Sequence, residues 1–117
     1  TEQLVIGGRS MGGRMCTMAA SDELDPLNVM GVACIGYPLH PPKKPDKLRT
    51  EHFGNLHSPL LFVSGTRDEF GTPDELELAW KLLPKQPTVQ MIEKGRHELR
   101  GADAQVATLV AQWLQNL

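Results

Sequence analysis

Short apolar runs recur along the chain, and each is followed within three residues by glycine, serine or proline. They occupy residues 4–6, 29–37, 60–63 and 89–92. The first three are continuous rather than alternating with polar residues, which is the pattern of parallel strands buried on both faces. The fourth strand is predicted from Val89, Met91 and Ile92. We therefore predict four β-strands.

Apolar residues at helical spacing separate these strands. In residues 12–20, Met15, Met18 and Ala19 follow an i, i+3, i+4 pattern, which predicts a short, closely packed helix. Pro73, with Thr72 as N-cap, fits the first turn of a second helix. Asp103 is predicted to cap a third. The stripes expected to face the core in the last two helices are Leu76, Ala79, Trp80 and Leu83, and Val106, Leu109, Val110, Trp113 and Leu114.

The order β-α-β-loop-β-α-β-α predicts an α/β fold with a mostly parallel sheet and helices on both faces. The loop at residues 38–59 is rich in proline and lysine and has no periodicity. We expect a solvated surface loop, and a substrate-facing flap is the alternative. Its three histidines, His40, His52 and His57, are predicted to be exposed.

Length and charge limit the classes of protein this chain belongs to. The 117 residues fit a single domain, and the net charge of −2 is spread evenly, which disfavours nucleic-acid and membrane partners. No apolar run approaches the roughly 20 residues of a membrane-spanning helix. Cys16 and Cys34 form no CxxC pair and are predicted to pack in the core, which fits a reducing, cytoplasmic location. Because the chain opens at Thr1 without an initiator methionine or leader, we expect a fragment.

The sequence GRSMG at residues 8–12 matches G-x-S-x-G, between a predicted strand and a predicted helix. This context is required for a serine held on a strained turn, where glycines two residues away on each side let strand and helix approach. Ser10 is therefore a candidate nucleophile. The alternative is a glycine turn with an incidental serine.

Two more candidates follow later strands. Asp68 comes just after the third strand and His97 just after the fourth, at the edge where open α/β sheets gather catalytic groups. By itself Asp68, like its neighbour Glu69, is equally an ordinary turn acid. The order serine, aspartate, histidine is that of α/β-hydrolases, however, and together the three residues predict a nucleophile, an orienting acid and a base.

The segments VIGGRSMGGR, PLLFVSGTRDEFGT and KGRHEL resemble the α/β-hydrolase superfamily. The chain is most similar to a small dienelactone-hydrolase-like branch that includes bacterial hydrolases and the hydrolase-like domain of a nonspecific-lethal chromatin complex subunit. The resemblance implies Ser10 as nucleophile, Asp68 as acid, His97 as base and the backbone N–H of Met11 as one oxyanion donor. It implies no cofactor and no metal.

The same resemblance implies an N-terminal half with four further strands and a second oxyanion donor. Residues 1–117 would then be a single partial domain, the C-terminal half of the fold. The strand at residues 4–6 would be an uncovered sheet edge, open to self-association.

The function expected from these residues is hydrolysis of a small ester-like substrate. A hydrolase-fold interaction module with little or no catalytic activity is the main alternative. A flavodoxin-like binding domain would share the alternation of elements but would leave the three motifs unexplained.

Overall fold

Four parallel strands pair in chain order in the computed structural model, which describes residues 3–117. They are β1 (Val5–Arg9), β2 (Gly31–Ile35), β3 (Leu60–Gly65) and β4 (Thr88–Ile92). The predicted α/β class with a parallel sheet is confirmed. β1 is longer than predicted because it continues through Gly7 and Gly8, which pair with Ala33 and Cys34 of β2.

Three helices cover the two faces of the sheet. They are α1 (Met11–Ala20), α2 (Pro73–Trp80) and α3 (Asp103–Gln115), and a 3-10 turn lies at Phe53–Asn55. Residues of α1 and α2 share one core with one face of β2 and β3. Residues of α3 share a second core with the opposite face. The sheet therefore has helices on both sides, as predicted.

The inner and outer strands differ in burial. Every residue of β2 and β3 is buried, because each strand has a neighbour on both sides and helices above and below. β4 alternates, with Thr88 and Gln90 exposed. β1 is only partly covered, and among residues 3–117 its outer edge has no strand partner.

Helix α1 faces the sheet with small residues, and the prediction for its apolar stripe is wrong. Gly13, Thr17 and Ala20 are buried, whereas the side chains of Met15 and Met18 are 57% and 38% exposed. The cause is the close approach of the α1 backbone to β1 and β2, which leaves no room for long side chains between them. The methionines therefore project away from the sheet.

Two details of α3 also differ from the prediction. Ala102, not Asp103, is the N-cap, and Asp103 makes no capping hydrogen bond. Its carboxylate instead lies 3.1 Å from Nη2 of Arg9. Leu114 is exposed because it follows Trp113 by about 100° around the helix, outside the buried stripe.

The loop at residues 38–59 is less solvated than predicted. It is exposed at residues 43–48, but Leu39, Phe53 and Leu56 are buried in the core beneath it. His40 is also buried, at 3% exposure, and His52 is half-buried with its ring against Phe53. The prediction of exposure is wrong for these two histidines. Because these apolar side chains pack in the core on the α1 and α2 side of the sheet, the loop and its two histidines are held against that side.

The two cysteines are not paired with each other. Cys34 is buried and Cys16 is half-buried, and burial raises the pKa of both thiols. Neither thiol is therefore activated as a nucleophile. Over residues 3–117, none of the helices has the length and apolar character needed to cross a bilayer.

Candidate active site

Ser10 lies on a strained turn between β1 and α1. Its backbone angles are φ 50° and ψ −122°, in a region that L-residues with side chains rarely occupy. The N–H of Ser10 donates to the carbonyl oxygen of Ile35, 2.8 Å away, at the end of β2. The neighbouring strand thus helps to hold the strained conformation, which projects the serine hydroxyl from the turn.

Close packing at this turn depends on Gly8 and Gly13. A Cβ on Gly8 would lie 2.6 Å from the carbonyl carbon of Gly12, and a Cβ on Gly13 would lie 2.8 Å from the carbonyl oxygen of Gly8. A Cβ on Gly12 would meet nothing within 4 Å. The expectation that glycine is needed two residues away on each side therefore holds for Gly8, while on the helix side the need falls on Gly13.

Asp68 lies in the turn after β3, and its side chain is almost completely buried. Its Oδ1 accepts a 2.8 Å hydrogen bond from the backbone N–H of Phe70. This bond fixes the carboxylate toward the centre of the site. The adjacent Glu69 is exposed.

His97 lies between Ser10 and Asp68. Its Nε2 is 2.7 Å from Ser10 Oγ, and its Nδ1 is 2.9 Å and 3.1 Å from the two carboxylate oxygens of Asp68. A carboxylate only accepts hydrogen bonds, so Nδ1 carries the proton and donates it to Asp68. In the neutral ring, Nε2 is then the acceptor for the hydroxyl of Ser10. The structure thus brings together the three side chains singled out from the sequence.

Two further residues contact His97 and help to position it, and neither was predicted from the sequence. The ring of Phe70 stacks on the imidazole, with centroids 3.9 Å apart and planes 26° apart. Gly36, at φ 67°, lies behind it, and a Cβ there would be 3.0 Å from the carbonyl oxygen of His97. The available signals were a glycine directly after a buried strand and an aromatic residue two positions after the candidate acid.

Met11 is the first residue of α1. Its backbone N–H therefore has no acceptor within the helix and lies at the positive end of the helix dipole. It is directly adjacent to Ser10 in the chain, the position for which the sequence predicts an oxyanion donor. In the described part of the chain, histidine, cysteine, aspartate and glutamate form no cluster of three or more able to hold a metal ion.

A second histidine–carboxylate pair supports the loop that carries Asp68. The N–H of His40 donates to the carbonyl oxygen of Phe70, at 3.0 Å. Its Nε2 is 2.8 Å from Oε1 of Glu75, and its Nδ1 is 2.8 Å from the carbonyl oxygen of Pro41. Both partners are acceptors, so this geometry favours the protonated imidazole, in which both ring nitrogens donate.

The pKa values of this pair follow from that geometry. Burial alone would lower the pKa of His40, but the hydrogen bonds to Glu75 and Pro41 and the charge of Glu75 raise it above its ordinary value. The hydrogen bond from His40, followed by that from the N–H of Thr72, lowers the pKa of Glu75. Glu75 is also part of the capping box of α2, so the pair links the loop after β2 to the start of that helix.

Comparison with known proteins agrees with this arrangement of elements. A family model described as an alpha/beta hydrolase domain matches residues 1–116. The match covers nearly the whole chain. The chain therefore belongs to the α/β-hydrolase family.

Solved structures share the fold at low sequence identity. An alpha-beta serine hydrolase homologue from Coxiella burnetii has a TM-score of 0.73 at 18% identity, over 97% of this chain and 50% of that one. The monoacylglycerol lipase of Paleococcus ferrophilus has a TM-score of 0.74 at 15% identity, over 97% of this chain and 68% of that one. Est1E from Butyrivibrio proteoclasticus has a TM-score of 0.77 at 14% identity, over 99% and 61%. The chain thus spans between half and about two thirds of these proteins.

Proposed function

We propose that the protein carrying this chain is a serine hydrolase that cleaves small carboxylic esters through Ser10, His97 and Asp68. The observation that carries the proposal is the continuous hydrogen-bonded series from Ser10 Oγ through His97 to Asp68, with distances of 2.7 Å and 2.9 Å. This order of groups is the one that activates a serine hydroxyl. Membership of the α/β-hydrolase family supports it.

In the acylation step, Ser10 Oγ attacks the ester carbonyl carbon while its proton passes to Nε2 of His97. The N–H of Met11 donates to the oxyanion of the tetrahedral intermediate. The C–O bond to the leaving group then breaks, and the alcohol leaves with the proton from Nε2. Asp68 holds the imidazole in the needed tautomer and stabilises its cationic form.

In the deacylation step, a water molecule gives its proton to Nε2 of His97 and its oxygen attacks the acyl carbon. A second tetrahedral intermediate collapses, the bond to Ser10 Oγ breaks, and the proton returns to that oxygen. The products are a carboxylic acid and the free serine. Ser10, His97 and water account for every bond and proton in the cycle, so the proposed reaction invokes no cofactor or metal.

Part of the site belongs, in this proposal, to sequence outside residues 1–117. The chain spans only 50% to 68% of the three solved structures compared above. The resemblance to the dienelactone-hydrolase-like branch assigns a second oxyanion donor to the N-terminal half of the fold. We place that donor, and part of the pocket for the small ester, in the remainder of the protein.

The test is labelling of the full protein with a fluorophosphonate probe, followed by peptide mapping. The peptide that contains Ser10 should carry the label, and Ser10→Ala should abolish it. Ser58→Ala is a matched control, because Ser58 is partly exposed but lies at the opposite end of β3, before Leu60. Labelling of the Ser10 peptide should be unchanged in Ser58→Ala.

Labelling that survives in Ser10→Ala would contradict the assignment of the nucleophile. A correctly folded protein that neither takes up the label nor hydrolyses esters would favour the alternative function, a hydrolase-fold interaction module. Far-ultraviolet circular dichroism of each variant separates this result from unfolding.

A further inference from the structure

Arg49 is held by its backbone from two sides, although it lies in an irregular loop. Its N–H donates to the carbonyl oxygen of Leu39 at 2.8 Å, and its own carbonyl oxygen accepts the hydroxyl of Tyr37 at 2.7 Å. Tyr37 is 1% exposed, and its ring packs edge-on against Phe53 and Phe62. A deeply buried side chain thus fixes the position of a loop arginine.

The guanidinium of Arg49 lies at the same end of the sheet as Ser10, in contact with Met11 and Pro38. Its Nη1 donates to the carbonyl oxygen of Pro38 at 3.2 Å and is 3.8 Å from Sδ of Met11. Met11 is the neighbour of Ser10, and Pro38 is two residues beyond Gly36, which lies against His97. Arg49 therefore connects two segments of the chain. One contains Met11, the neighbour of Ser10, and the other contains Pro38, close to the glycine that lies against His97.

The positive charge of Arg49 is not neutralised within the described residues. Three carboxylates around this end of the sheet are matched with other groups: Glu51 with Arg14 at 3.5 Å, Glu75 with His40, and Asp68 with His97. Over residues 3–117, no carboxylate lies within 4 Å of Arg49. Among the described residues only its Nη1 makes a hydrogen bond, which leaves Nη2 and Nε free to donate.

We propose that Arg49 is a specificity-determining residue that binds a carboxylate carried by the ester substrate. This inference rests on the proposed function, since it concerns the substrate of the same site. The planar fork of arginine matches the two oxygens of a carboxylate, and a charged hydrogen bond of this kind is stronger than a neutral one. The preferred substrates are then esters with a second, anionic group.

The experiment compares kcat/KM of the full protein for three esters: 4-nitrophenyl acetate, mono-4-nitrophenyl succinate and 4-acetoxybenzoate. The first is neutral, the second has its carboxylate on the acyl part, and the third has it on the leaving group. Arg49→Gln should lower the ratio of kcat/KM for at least one anionic ester to that for the acetate by about 10- to 100-fold. Arg49→Lys should lower this ratio by a smaller factor, because lysine keeps the positive charge but lacks the planar, two-pronged donor of arginine.

Lys47→Gln is the matched control, since Lys47 is an exposed cation two residues away on the same loop. It should leave the ratio unchanged. The ester whose ratio falls in Arg49→Gln identifies the side on which the carboxylate binds. An equal loss on all three esters would assign Arg49 a purely structural role. An equal fall of the kcat/KM ratio in Lys47→Gln would show that the anionic esters respond to the general positive charge of the loop and not to binding by Arg49. Either result, or no effect, overturns the proposal.

A binding measurement keeps this test independent of catalysis. Saturation-transfer NMR with glutarate should show binding to the unmodified protein and to Ser10→Ala, and loss of binding in Arg49→Gln. If glutarate binds in this pattern while no ester is hydrolysed, the proposed function fails and the arginine site stands. If esters are hydrolysed in a Ser10-dependent way without glutarate binding or an Arg49-dependent ratio, only the arginine site fails.

Discussion

The turn that carries Ser10 and the loops that carry Asp68 and His97 meet at one end of the sheet but are stabilised differently. The Ser10 turn follows a half-exposed edge strand and is shaped by steric fit, because Gly8 and Gly13 let backbone touch backbone. The Asp68 loop follows a fully buried strand and is shaped by hydrogen bonds from Phe70 and His40. One side of the site therefore depends on the absence of side chains, and the other on hydrogen bonds.

This difference indicates which substitutions each side tolerates. On the serine side, an added methyl group is disruptive wherever backbone atoms lie within 3 Å, whatever its chemistry. On the acid side, an isosteric change that keeps the shape is disruptive when it alters donors and acceptors.

The largest effect is expected on the polar side, in Asp68→Asn. The amide keeps the shape of the carboxylate but favours the wrong tautomer of His97, so kcat should fall by about 10⁴-fold. Glu69→Gln is the matched control because Glu69 is adjacent but exposed, and its effect should be much smaller. Ester hydrolysis by the full protein measures both. The reverse ranking would assign the acid to Glu69.

The next largest effect is expected on the serine side of the site. It is seen by comparing the rate of ester turnover by residues 1–117 alone with that by a longer protein that contains them. If the second oxyanion donor lies outside these residues, Ser10-dependent turnover of 4-nitrophenyl acetate by the isolated chain should be about 10²–10³-fold lower. A Ser10→Ala blank is subtracted from each. Equal rates would contradict the assignment of that donor to another part of the protein.

The same isolated chain tests the open edge of β1. An unpaired strand edge favours association between copies, and the exposed methionines of α1 add apolar surface. Sedimentation velocity should therefore show oligomers of residues 1–117 that are absent in the longer protein. A strictly monomeric isolated chain would show that this edge is not adhesive.

A smaller effect distinguishes two adjacent glycines of the serine turn. Gly13→Ala should lower the free energy of unfolding by about 1–3 kcal/mol, because its Cβ would press on the carbonyl oxygen of Gly8. Gly12→Ala should be neutral or stabilise by up to about 1 kcal/mol, since its Cβ meets nothing and alanine favours a helix. Urea unfolding of both variants measures the difference. Equal destabilisation would contradict the close packing at Gly13.

The smallest effect is the pH dependence of the His40–Glu75 pair. The raised pKa of His40 stabilises the fold fully below its ordinary value of 6.5, and this stabilisation is lost as pH rises through the raised value. The lowered pKa of Glu75 stabilises above its ordinary value of 4.5, and this is lost as pH falls through the lowered value. The pair therefore contributes most between pH 4.5 and 6.5.

Urea midpoints measured across pH should show that contribution, on the order of 1 kcal/mol, in the unmodified protein. Glu75→Gln should remove the part that depends on this pair. A stability profile with the same shape in the variant would show that His40 and Glu75 titrate without affecting folding.

The sequence by itself determined the order and type of the elements. Continuous apolar runs predicted β2 and β3 because strands buried on both faces leave no room for polar residues. Thr72 and Pro73 predicted the start of α2 because capping is local chemistry. The positions of Ser10, Asp68 and His97 after three different strands also followed from local patterns, and their catalytic roles stay a prediction.

The tertiary structure decided which side chains face which neighbours. The methionines of α1 have a helical period like that of a buried stripe, yet the close approach of glycine backbones turned Gly13, Thr17 and Ala20 toward the sheet. His40 and Arg49 lie in a loop without periodicity, and contacts made in the fold, with Glu75 for His40 and with Tyr37 for Arg49, helped to fix them. Period and capping are local properties of a sequence, whereas burial and pairing depend on segments that meet only in the fold.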